Sequence, residues 1–183
     1  MARYAVFLRG INVGRRRVKM DRLKVLFEEA GFRSVSTLLA SGNVIVSTSS
    51  RSTPAMEKRI ESHLAEKLGY DVDTFVRSHS EIQSIAALRP FGQQEESGKH
   101  TLHIFFFKQE LEPSVCQTLL RLQLPTDQLR IVGREMYWLR EGRMSDSELW
   151  TSPAARRLRL PSETLRTAAT VRKLSALMAA AST

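Results

Sequence analysis

Residues 9–20, RGINVGRRRVKM, combine two glycines with five cationic side chains. Glycine accepts positive φ angles, so a loop that contains it can bring its backbone close to a ligand. Guanidinium and ammonium groups are the side chains that bind phosphates and carboxylates. The segment therefore predicts an anion-binding loop over residues 10–19. The cations would supply positive charge, the glycines and Asn12 would shape the backbone, and Ser41 and Asn43 would donate further hydrogen bonds. The predicted ligand-binding residues of this loop and its neighbourhood are Arg9, Gly10, Asn12, Gly14, Arg15, Arg16, Arg17, Lys19, Ser41 and Asn43.

A purely structural interpretation of the same residues stays open. The glycines supply positive φ in any tight connection, asparagines close turns on their own backbone, and arginines extend into water. The spacing does not match the established phosphate-binding loops, because the sequence contains neither G-x-x-x-x-G-K-[ST] nor a G-x-G-x-x-G after its first strand.

Composition and charge set the class of protein. The 183 residues are 42% hydrophobic and 26% charged, which is typical of a soluble globular chain of one large or two small domains. The net charge of +9 favours an anionic small molecule or nucleic acid as partner. The single cysteine, Cys116, excludes an internal disulfide and agrees with a cytoplasmic location. No apolar run approaches the length of about 20 residues that spans a bilayer, so we expect no membrane association.

The elements that position the loop follow from hydrophobic periodicity and turn residues. Apolar runs at 4–8, 35–40, 44–48 and 72–76 predict strands, and helical spacing predicts helices over 20–30 and 54–68, with a short helix after residue 78. This βαββαβ order is typical of a ferredoxin-like unit. Its first two strands run in the same direction, so the loop and the hairpin at 41–43 should share one end of the sheet. The first helix begins at that end, and its positive dipole favours an anion.

The second half of the chain repeats part of this order. After a polar linker at 91–100 come a predicted strand at 102–107, a helix at 112–122 and strands at 129–132 and 136–140. Two helical segments, 146–158 and 162–178, follow without a final strand. We therefore predict an α+β protein with two ferredoxin-like α/β halves in tandem, the second incomplete and ending in helices. The predicted domains are 1–90 and 101–183.

Several motifs resemble the domain of unknown function 1697 family. They are FLRGINVG at 7–14, VKM at 18–20 and SGNVIV at 41–46, and the resemblance extends through most of the chain to residues 164–166 and 170–174. It implies a two-part α+β fold related to ferredoxin-like units, and it implies no established activity, cofactor or substrate. It also adds Arg166 to the predicted ligand-binding residues, as a side chain that would reach a cleft between the halves.

The sequence departs from this family at two places. Three arginines, Arg15 to Arg17, stand where the family has a second glycine and a mixed Lys/Asn stretch. Thr167, Ala168 and Ala169 replace an Asn-Trp-Asn that follows the arginine of the C-terminal signature. If that tryptophan lines a ligand pocket in relatives, this chain has lost one of its walls.

Three functional hypotheses follow. The first is a protein that binds a phosphate-bearing ligand or a nucleic-acid backbone at residues 10–19. The second is a small enzyme that acts on a phosphorylated metabolite between the halves, and the third is a ligand-free scaffold that forms a homodimer. No catalytic residues are assigned, and we expect no cofactor. We also expect no metal, because His100 and His103 would point to opposite faces of a strand.

Overall fold

The computed structural model describes residues 1–14, 16–39, 42–96 and 98–180. The internal contacts divide the chain into two units, one formed by residues 1–87 with the chain from Val171 onwards, and the other by residues 88–170. The C-terminal helix thus groups with the first unit, which differs from a division into 1–90 and 101–183. Within the described ranges, we find no helix with the length and apolar character needed to cross a membrane.

The first unit has the predicted ferredoxin-like topology. Its four strands form one antiparallel sheet in the order β2-β3-β1-β4. The elements are β1 (Ala2–Leu8), α1 (Met20–Glu29), β2 (Arg33–Leu38), β3 (Asn43–Thr48), α2 (Thr53–Leu68), β4 (Thr74–Ser78) and α3 (His79–Ala87).

Both faces of β1 are buried, which explains its continuous apolar run. Tyr4, Val6 and Leu8 point into a core shared with α1 and α2, as the period of two along a strand requires. Ala5 and Phe7 are buried on the opposite face, where α3 lies against β1 and β4. The sheet therefore holds the end of β1, and the loop that follows it, in a fixed position.

The second unit contains a complete second sheet. Its strands follow the order β6-β7-β5-β8, which matches the first sheet position for position. The elements are β5 (His100–Phe107), α4 (Pro113–Arg121), β6 (Asp127–Val132), β7 (Glu135–Glu141), α5 (Glu148–Thr151), α6 (Pro153–Arg157) and β8 (Glu163–Thr167), followed by α7 (Ala168–Ala180).

The tandem α+β fold is confirmed, but the expectation of an incomplete second half was wrong. The segment predicted as a helix over 162–178 begins as strand β8 and becomes α7 at Ala168. Apolar residues at Leu165, Ala168 and Val171 keep a spacing of three across this junction, so periodicity alone suggests one helix. The buried face of β8 carries Thr164 and Arg166, whose polar side chains hide the strand pattern.

Two other segments also differ from expectation. The predicted helix at 146–158 is a 3-10 turn followed by the short α5 and α6, which are separated at Ser152. Ser152 caps α6 by accepting a hydrogen bond from the N–H of Ala155 at 3.1 Å. The predicted linker at 91–100 contains a 3-10 helix, Gly92–Glu96, and the first residue of β5.

The two sheets carry a buried arginine at the same position, a repeat that is not visible in the sequence. Arg77 pairs with Ala5 in the first sheet, and Arg166 pairs with Ile104 at the equivalent place in the second. Both arginines are buried. Each donates from Nη1 to the carbonyl oxygen of the residue before it, at 2.9 Å and 2.7 Å. The two units thus share a side-chain arrangement as well as a topology.

A buried ion pair fixes the hairpin of the second unit to the turn that follows it. Asp127 is fully buried and lies 3.1 Å from Arg140 across the β6–β7 pair. Its carboxylate also accepts from Trp138 Nε1 at 3.0 Å and from Ser147 Oγ at 2.7 Å. Arg140 donates in addition to the carbonyl oxygen of Asp146 at 3.0 Å. The charges are therefore both paired and hydrogen-bonded, as burial requires.

We predict that Asp127→Ala lowers the free energy of unfolding by about 3–5 kcal/mol, because it leaves the Arg140 guanidinium buried without its carboxylate. Urea denaturation followed by circular dichroism measures the change. Asp146→Ala is the matched control, since it removes an exposed pair with Arg143 from the same turn and should move the transition far less. Equal midpoints for the two variants would contradict a stabilising role for the network.

Candidate anion-binding loop

The loop after β1 and the β2–β3 hairpin meet at Gly42. Leu8 donates its N–H to the carbonyl oxygen of Gly42 at 2.9 Å. A Cβ atom at Gly42 would overlap Ile11 Cγ2 and lie 3.0 Å from Leu8 Cβ, and the φ of Gly42 is +76°. Glycine is therefore required here for two reasons: a side chain would overlap its neighbours, and the backbone has a positive φ angle. The two segments lie at one end of the sheet, as the ferredoxin-like order implies.

Asn12 closes the loop on itself. Its Nδ2 donates to the carbonyl oxygen of Val18 at 3.1 Å, and its Oδ1 accepts from the N–H of Val18 at 2.6 Å. We call this pair of hydrogen bonds the Asn12 clamp. Asn12 has a φ of +56°, which asparagine tolerates better than most residues. The side chain predicted to shape the loop does so by holding its two ends together.

The two loop glycines are required by conformation and not by lack of space. Gly10 and Gly14 have φ angles of +73° and +61°. A Cβ atom would meet ordinary van der Waals distances at Gly10, with Arg16 Nη1 at 3.6 Å, and open space at Gly14. Together with Asn12, they give the loop three residues in the left-handed region within five positions.

The cations of the loop are held in different ways. Arg9 lies 3.6 Å from Asp73 in a half-exposed ion pair, which contributes about 0–1 kcal/mol to stability. The Arg16 guanidinium stacks over the ring of Tyr70, 4.3 Å from its centroid. Arg17 donates from Nη1 to the carbonyl oxygen of Asn12 at 2.9 Å. Arg15 lies outside the described residues.

Lys19 occupies the N-cap position of α1. Its ammonium has donors and no acceptor, so it makes no cap hydrogen bond to the first turn. The first helical bond is that from the N–H of Leu23 to the carbonyl oxygen of Lys19, at 2.9 Å. An open pocket of about 450 Å³ adjoins the start of the helix. This pocket is lined by Asn12, Arg17, Val18, Lys19 and Met20.

Two of the predicted ligand-binding residues, Asn43 and Arg166, form hydrogen bonds within the protein. Asn43 is fully buried and donates to the carbonyl oxygen of Leu38 at 2.8 Å, which closes the β2–β3 hairpin. Arg166 was predicted on a helix, and it lies instead on strand β8 of the second unit. It is buried and hydrogen-bonded to Thr164 Oγ1 at 2.8 Å, and burial lowers its pKa to about 10. Ser41 lies outside the described residues.

The chain just before β4 contributes to the loop, which was not predicted from the sequence. Because β4 pairs with β1, residues 70–73 lie next to the loop, where Tyr70 contacts Arg16 and Asp73 contacts Arg9. The signal was the position of this segment before the fourth strand of a ferredoxin-like unit. Among the described residues, no group of three or more His, Cys, Asp or Glu side chains could hold a metal ion.

These features define a class: a tandem ferredoxin-like α+β protein with a basic, glycine-containing loop at the end of its first strand. A family model described as "Protein of unknown function (DUF1697)" matches residues 1–137. The chain therefore belongs to the DUF1697 family, which confirms the resemblance of its motifs.

The conserved bacterial protein SP0830 from Streptococcus pneumoniae has a similar solved structure. The TM-score is 0.75 at 22% sequence identity, over 98% of this chain and 99% of that chain. This likeness supports the fold of both units. A comparison with curated proteins finds no match.

We predict that Asn12→Ala lowers the free energy of unfolding by about 1–3 kcal/mol, because the buried N–H of Val18 loses its acceptor and alanine is strained at positive φ. Asn12→Gly removes the same hydrogen bonds without the strain, so it should be less destabilised. Amide hydrogen exchange at Val18 should accelerate in both variants. Unchanged protection of Val18 in Asn12→Gly would contradict the role of the clamp.

Proposed function

We propose that residues 10–19 bind a phosphate-bearing small molecule at the pocket in front of α1. The observation that carries this proposal is the lysine at the N-cap of that helix. Helix N-termini offer free N–H groups and a positive dipole end, which suit an anion. Here a further cation sits where an acceptor side chain usually satisfies those groups.

Lysine at position 19 lowers the stability of helix α1 unless an anion is bound. Ser, Thr, Asp or Asn at an N-cap stabilises a helix by about 0.5–2 kcal/mol relative to residues that cannot accept. A cation near the N-terminus costs about 0.3–1 kcal/mol more, and Asp21 in the first turn offsets part of this. A bound phosphate would accept from the free N–H groups and neutralise Lys19 at once.

The neighbouring arginines support the same conclusion. Arg17 is tied to the Asn12 carbonyl and Arg16 to the Tyr70 ring, so part of their rotamer freedom is already lost before a ligand binds. Ordering such side chains in advance reduces the entropic cost of association. The convergence of Arg17, Lys19 and the helix N-terminus on one pocket favours a compact anion.

Nucleic acid is the second candidate, because the net charge of +9 attracts any polyanion. The hypotheses of a small enzyme acting on a phosphorylated metabolite and of a dimerising scaffold remain predictions from the sequence. Arg166 is not part of the proposed site, since its guanidinium is hydrogen-bonded within β8 of the second unit.

We predict opposite effects of Lys19→Ser on stability and on binding. Serine caps α1, so the ligand-free protein should gain about 0.5–1 kcal/mol in free energy of unfolding. The same cap competes with an anion for the N–H groups, and a charge is lost. The affinity for inorganic pyrophosphate, measured by isothermal titration calorimetry, should therefore fall by about tenfold.

Arg51→Ser is the matched control, because Arg51 is exposed and follows β3 at the opposite end of the same sheet. It removes one positive charge and should leave pyrophosphate affinity unchanged. A Lys19→Ser variant that is stabilised but binds pyrophosphate normally would refute the proposal. A single-stranded DNA probe that binds more tightly than pyrophosphate, with a steep salt dependence, would favour nucleic acid instead.

A further inference from the structure

The second unit contains a cleft of about 520 Å³. It lies between the loop that leaves β5 and the segment that leads into β8, which is the end of the sheet equivalent to the loop after β1 in the first unit. Its volume is within the range of small-molecule sites, about 300–1,000 Å³. We call it the β5–β8 cleft.

The floor of the β5–β8 cleft is apolar. Leu111 is buried in the core of the unit, and Val115 and Leu160 pack against that core while remaining partly exposed. Leu111 and Val115 line the cleft from the loop before α4 and from α4 itself, and Leu160 lines it from the segment before β8. Apolar surface left in contact with water is a source of binding free energy for a ligand that covers it.

The rim of the cleft carries charges of both signs. Glu110 and Glu112 belong to the loop after β5, and Arg159 belongs to the segment before β8. All three are exposed. Within the described part of the chain, their side chains form no ion pair. Lys108, which is half-buried, also lines the cleft from the loop after β5. The cleft thus offers two carboxylates, one ammonium and one guanidinium beside an apolar floor.

From this arrangement we infer that the β5–β8 cleft binds a small zwitterion with an apolar side chain, the chemistry of a free apolar amino acid or dipeptide. Carboxylates of the rim accept hydrogen bonds from an ammonium group. The guanidinium of the rim forms a bidentate pair with a carboxylate. The floor beside them receives the aliphatic side chain. This site lies in the second unit and does not depend on the anion-binding loop.

Leucyl-leucine is the probe that tests this inference, with binding followed by NMR chemical shifts of the intact protein. It should perturb Leu111, Val115 and Leu160. Glycylglycine, which cannot cover the floor, and leucyl-leucinamide, which lacks the carboxylate, should each bind at least about tenfold more weakly.

Arg159→Gln should reduce the affinity for leucyl-leucine by about tenfold and leave that for leucyl-leucinamide unchanged. Arg121→Gln is the control, an arginine of the last turn of α4 outside the lining of the cleft, and it should bind as the wild type does. Absence of binding at about 10 mM leucyl-leucine would overturn the inference, because a dissociation constant above that concentration is too weak for a specific site. So would equal binding of the peptide and its amide, or an Arg159→Gln variant that binds leucyl-leucine normally.

Discussion

At Gly42 the hairpin backbone lies against Leu8 and Ile11 so closely that no side chain larger than hydrogen fits. This contact joins the end of β1 to the start of β3, and the register of the sheet then places β4 on the other side of β1. The loop between β1 and α1 must therefore leave the sheet within a frame that is fixed on both sides. Within this frame, Gly10, Asn12 and Gly14 adopt positive φ angles.

Within that frame, the polar groups of the loop divide into those that hold it and those that remain available. Asn12 holds the loop by its clamp on Val18, and Asn43 closes the adjacent hairpin. Arg17 and Lys19 then converge on the pocket at the start of α1. The local rule for helix caps is broken at Lys19, which is the kind of exception expected where function competes with stability.

The sequence was sufficient for the element order of the first unit and insufficient for parts of the second. Alternating and helical spacings placed β1, α1 and β3 correctly because their buried faces are apolar. Strand β8 was missed because Arg166 and Thr164 form its buried face. In the loop, the sequence identified the residues that shape the backbone, but it could not distinguish residues that bind a ligand from residues that hold the loop together. An asparagine that forms hydrogen bonds with nearby backbone looks the same in sequence as one that forms them with a ligand. The contact of Tyr70 with Arg16 needed the strand order.

An NMR titration of the wild-type protein with inorganic pyrophosphate tests most directly whether the loop is an anion site. If the loop binds the anion, the amide signals of Gly10, Gly14, Met20 and Asp21 should shift together along one saturable curve, while the amides of the second unit stay in place. Shifts spread over exposed lysines and arginines of both units, without saturation, would contradict this prediction and would assign the cations of residues 9–19 to an ordinary basic surface.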